Sequence, residues 1–94
     1  MTVEELRTEL EKIILSLTSL GFDTIDSGTV EKLDKFAVVA GELNMKEGKH
    51  LIGNLSGIMK AIQEGKSRTE SGNIRLMALD FYIRKLSGVS TEDL

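Results

Sequence analysis

The single histidine of the chain, His50, is the side chain best suited to chemistry. At about 100° per residue it shares a helical row with Asn54, Gly57 and Ala61, at i, i+4, i+7 and i+11. That row lies beside the apolar stripe of its segment. An imidazole on the flank of a bundle presents a ring nitrogen to solvent, and small neighbours let a second domain approach closely enough to deliver a phosphoryl group. A cation steadies such a transfer. Lys46 and Lys49 precede the histidine, and Lys46, one turn earlier, is the better placed. Gly53 and Gly57 form a GxxxG step nearby, and each glycine costs a helix about 1 kcal/mol relative to alanine. Their spacing predicts a smooth surface open to another helix, or a backbone lying close. Gly53, Asn54 and Gly57 are therefore candidate binding residues, and His50 is the alternative phospho-acceptor.

Other chemistries find no residues. With no Cys there is neither a disulfide nor a thiolate metal site, and one His cannot build a zinc centre or a nucleophilic triad without a well-spaced Ser. The carboxylates fall on outer helix faces, apart from Asp34, which borders the stripe of its helix. No metal, no cofactor and no catalytic residue is expected, and the reading leans away from an enzyme.

The string His50-Leu51-Ile52-Gly53-Asn54-Leu55 resembles the histidine box of two-component dimerisation helices, where an Asn follows four residues after the His. The resemblance implies a phosphorelay component. Leu51 stands where that box has an acidic residue, and Gly53 stands where histidine-containing phosphotransfer domains have Lys. The histidine also falls on the third helix, where the second is the rule. The start, Val3-Glu4-Glu5-Leu6-Arg7, is similar to that of helical chorismate mutases, which implies a dianionic substrate held by Arg and Lys inside a bundle. Here the stripe of the first helix carries no cation, and Ser19, Leu20 and Gly21 stand where an Arg would be expected. An enzyme with an anionic substrate ranks third.

Four helical segments must position these residues. The first runs from about Val3 to Leu20, opened by a Thr2/Glu5 capping box and closed by Gly21 in a left-handed cap. Its stripe is Val3, Leu6, Leu10, Ile13, Ile14, Leu17 and Leu20. Phe22 and Ile25 are expected to tuck under the bundle. Asp26 or Ser27 starts a second helix that reaches about Leu43, with Val30, Leu33, Phe36, Ala37, Ala40 and Leu43 inward and Val38 outward. Asn44 and Glu47 offer a cap pair for a third, Met45 to Glu64, whose stripe is Leu51, Ile52, Leu55, Ile58, Met59 and Ile62. Ser67 and Glu70, or a later start at Ser71-Gly72, open a fourth that ends at Ser87-Gly88.

The fourth helix has two apolar faces. Ile74, Met77, Ala78 and Phe81 line one; Leu76, Leu79, Ile83 and Leu86 line another, nearly opposite. A bundle helix needs only one, so the other predicts a central position or a buried partner. Leu76, Leu79, Ile83 and Leu86 are taken as the docking face.

Size and composition fit that picture. Ninety-four residues make one domain, with 40% hydrophobic and 29% charged residues and no Pro. The net charge of −3 and the lack of a basic stripe argue against nucleic acid. No apolar run approaches a membrane span, and Thr2-Val3-Glu4-Glu5 does not read as a signal peptide, so a cytoplasmic location is expected. The sequence therefore predicts an all-α, antiparallel up-down four-helix bundle over residues 1–88, with 89–94 a frayed tail. It predicts a non-enzymatic interaction or regulatory module, of the kind used in signal transduction. That module meets a protein partner, a homodimer being one form, through its C-terminal helix.

Overall fold

The computed structural model describes residues 1–22 and 27–92, with side chains described no further than Leu86. It is all-α: α1 spans Val3–Leu20, α2 Ser27–Glu42, α3 Lys46–Gln63 and α4 Thr69–Glu92. Together they form a four-helix bundle. The α2–α3 and α3–α4 faces pack most extensively, and α1 lies more lightly against α2 and α4.

The capping box forms as the sequence predicts. The Glu5 amide donates to the Thr2 hydroxyl at 3.1 Å, and the Thr2 amide donates to Glu5 Oε1 at 3.0 Å. Gly21 takes a positive φ of 77°, but its ψ of 178° is extended rather than left-handed helical. That region belongs to glycine alone, so the chain turns away from α1 instead of coiling past it. Phe22 follows and is buried, as expected. Ile25 and Asp26 lie outside the described residues.

Asn44 does not cap α3. Its φ of 63° ends α2: its amide donates to the Gly41 carbonyl at 3.2 Å, and the Met45 amide reaches the Ala40 carbonyl at 2.8 Å. This is a Schellman ending, with Asn serving where glycine is commoner because its short polar side chain tolerates φ above zero. Met45 then precedes α3 and gives no side-chain cap. The Tyr82 ring of α4 lies against Gly48 in this first turn. Burial raises the Tyr82 phenol above its ordinary value, the Glu47 carboxylate adds to the rise, and the nearby Gly48 backbone amide opposes both. Gly65 closes α3 with a second Schellman pair, from Gly65 to Ile62 and from Lys66 to Ala61.

The core comprises Leu6, Leu10, Ile14 and Leu17 of α1, with Phe22; Val30, Leu33, Phe36 and Ala40 of α2; Ile52, Leu55 and Met59 of α3; and Leu76, Leu79 and Ile83 of α4. Leu43 is only half-buried and packs at the edge, while Val3 and Leu20 are exposed at the ends of their stripe. Val38 stands outside at 61% exposure, as its wheel position requires.

At two glycines the space is taken. A Cβ on Gly72 would lie 2.9 Å from Ile62 Cδ1 and 3.0 Å from the Phe22 ring, and one on Gly48 would lie 3.1 Å from the Tyr82 ring. These glycines let α4 approach α3 and the segment after α1.

The fourth helix starts at Thr69, so no delay to Ser71-Gly72 occurs. It also runs to Glu92, past the stop expected at Ser87-Gly88. A lone glycine costs a helix about 1 kcal/mol, and without a following proline nothing forces the chain out of the helix. The residues assigned to a frayed tail are thus helical through Glu92, and 93–94 lie outside the described residues.

Candidate interaction surface

The two faces of α4 are real, and the face that the sequence reading assigns to docking is the one that meets the core. Leu76, Leu79 and Ile83 are buried in the core, with Leu79 at 0% exposure, and Leu86 is half-buried against it. They hold α4 to the bundle. Ile74, Met77 and Phe81, at 62%, 70% and 66% exposure, project into solvent together with Ala78. One signal could have separated the faces. Gly72 extends the Leu76-Leu79-Ile83 row one turn toward the N-terminus, and a glycine in line with large apolar residues marks a close approach to another element.

The outer stripe is continuous. Residues 74, 77, 78 and 81 fall within about 50° of a common direction at 100° per residue. Beyond Phe81, the Lys85 ammonium lies 5.5 Å from the ring centroid, a distance at which the cation is attracted to the aromatic face. At one edge, Arg84 donates to Asp80 at 3.1 Å. Four adjacent exposed apolar side chains, three of them large, are a patch of the kind that marks protein association. Scattered single residues such as Leu15 on α1 need no such explanation.

The histidine row of α3 is exposed as the spacing predicts. His50, Gly53, Asn54 and Gly57 all face solvent, and nothing lies within 4 Å of a Cβ built on Gly53 or Gly57. The missing side chain at Gly53 leaves a shallow depression lined by Lys46, Lys49, His50, Gly53 and Asn54. Both lysines therefore border the histidine, where the wheel alone favoured Lys46. Because a methyl on either glycine would meet nothing within 4 Å among the described residues, Gly53→Ala and Gly57→Ala should each stabilise α3, by up to about 1 kcal/mol. Gly48→Ala should give no such gain, because its methyl would press on Tyr82. Urea unfolding of the three variants checks this, and a loss of stability at Gly57 would mean that the smooth face is packed.

Sequence reasoning missed a polar link between α2 and α3. Ser56, at 1% exposure the single polar residue among the buried ones described, donates its hydroxyl to Asp34 Oδ1. Lys60 donates to Asp34 Oδ2 at 3.0 Å. The Ser56 hydrogen bond, then the Lys60 contact, hold the Asp34 carboxyl below its usual range. The arrangement satisfies a buried hydroxyl and fixes the register of two helices. Ser56 is too enclosed to act as a nucleophile.

The cations do not gather inside the bundle. Arg7 pairs outward with Glu4 and Glu11 along α1, Arg68 and Arg75 are exposed, and Arg84 pairs with Asp80. No anion-binding interior of the chorismate mutase kind is present among the described residues. Nor do those residues hold a cluster of three or more His, Asp or Glu able to bind a metal, or a helix long and apolar enough to cross a membrane.

Comparison with known proteins finds no match to this chain among family models, curated proteins or solved structures.

Proposed function

We propose that the protein is a non-enzymatic interaction module that meets a protein partner through the outer face of α4. The observation that carries this reading is the stripe Ile74-Met77-Ala78-Phe81, exposed on the side of α4 opposite the core. Burying one such large side chain contributes about 1.5–3 kcal/mol, so three together supply a useful association energy. Left in water they are a liability to solubility.

A second reading has one observation in its favour. His50 is exposed beside Lys46, Lys49 and the bare backbone of Gly53, an arrangement that could receive a phosphoryl group. It lacks the lysine one turn later that the phosphotransfer family supplies.

One set of variants separates the two. Met77→Glu with Phe81→Glu should leave helicity and Tm near wild type and abolish association, whether the partner is another protein or a second copy. His50→Gln should leave association intact. Acid-labile phosphate transferred from a phosphorylated receiver domain to wild type, and absent in His50→Gln, would favour the phosphorelay. Full association by the α4 variant would rule out the docking face.

A further inference from the structure

The outer face of α4 is self-complementary when read in both directions. Its apolar residues are symmetric about a point midway between Met77 and Ala78. Reversing the helix about that point exchanges Ile74 with Phe81 and Met77 with Ala78. It also exchanges Glu70 with Lys85, the charged residues that bracket the stripe; both are exposed, and both lie within about 30° of its centre on the helical wheel.

We propose that the occupant of this face is a second copy of the chain, its α4 antiparallel to the first, with a two-fold axis passing between Met77 and Ala78. This rests on the interaction reading and names its partner. In that pairing Ile74 meets the copy's Phe81, and the small Ala78 leaves room for Met77. Glu70 faces Lys85 at each end of the seam, so two ion pairs form per dimer. A parallel pair would place Glu70 against Glu70 and Lys85 against Lys85, so charge selects the antiparallel arrangement. An isologous contact of this kind closes on itself and leaves no open end for polymerisation. Antiparallel helices also set opposite macrodipole ends beside each other. The contact uses one helix per copy and lies at the small end of specific interfaces.

The test is sedimentation velocity on the full chain from low micromolar to near-millimolar concentration. Wild type should pass from monomer to dimer across that range. Glu70→Lys and Lys85→Glu should each weaken the dimer about tenfold, because either one turns both ion pairs into repulsions. The double variant Glu70→Lys with Lys85→Glu should recover wild-type affinity, and so should an equimolar mixture of the two single variants. All these positions are exposed, so folding is not at stake, and circular dichroism verifies that. A wild type that stays monomeric throughout, or a dimer indifferent to both single charge reversals, overturns the proposal. If wild type is monomeric but a different protein binds it and is lost with Met77→Glu/Phe81→Glu, the self-association fails while the docking face stands.

Discussion

Leu79→Glu combined with Ile83→Glu should unfold the protein, whereas Met77→Glu combined with Phe81→Glu should leave it folded. The two double variants carry the same charge on the same helix and differ only in direction. Leu79 and Ile83 are enclosed by the core, so each replacement removes a buried apolar side chain and brings a carboxylate out of water. The first loss is about 1.5–3 kcal/mol per residue. The second adds several kcal/mol per charge, or somewhat less if the carboxyl folds in protonated. A domain of this size has a total stability of about 5–15 kcal/mol, so the pair should exceed or nearly exhaust it. Met77 and Phe81 already stand in solvent, where substitutions away from packed features change stability by about 0.5 kcal/mol or less. Circular dichroism at neutral pH gives the answer directly: helical signal lost in the first variant, retained in the second. Retention in both would mean that α4 does not pack through the Leu79 face.

The contrast also shows where sequence reasoning stopped. Each amphipathic helix with a single stripe was legible: the buried residues of α1 and α2 all belong to their predicted inward sets. For α4 the wheel yields two stripes of similar apolarity, and periodicity alone cannot say which one meets the bundle. That choice depends on neighbouring helices, through the close approach at Gly72 and the Tyr82 contact with α3. Those are long-range facts, and residue spacing within one helix does not encode them.

Boundaries failed for a related reason. Asn44 was equally suitable as the start of one helix or the end of another, because its side chain caps N-termini well and its backbone tolerates a positive φ. The tight junction between α2 and α3 decided for the second role. The Asp34–Ser56 link was half legible. Asp34 borders the stripe of α2 in the sequence itself, but Ser56 sits between the apolar positions Leu55 and Met59 and gives no signal until α2 lies against it. For the candidate site, exposure of the His50 row followed from helical phase alone. The depression that joins both lysines to it did not, because it depends on the space left open at Gly53.

Within α2, Leu33→Ala should cost about 2–5 kcal/mol and Val38→Ala less than about 0.5 kcal/mol. The two residues are five positions apart on one helix, so helix propensity and chain entropy differ little between the sites, and burial dominates. Leu33 is fully enclosed in the core, and its truncation removes contacts and leaves a cavity that its neighbours fill only in part. Val38 already stands in water, so its truncation removes almost nothing, and alanine's better helix propensity partly offsets the small loss. Leu43→Ala should fall between them, because Leu43 packs only at the edge of the core. Urea denaturation followed by circular dichroism orders the three, with the midpoint shifting and the slope unchanged if the unfolded state is unaffected. A large cost at Val38, measured at a concentration where the chain is monomeric, would mean that α2 is rotated from the orientation described. The same cost appearing only at high concentration would instead place Val38 in a contact between copies, away from the α4 seam.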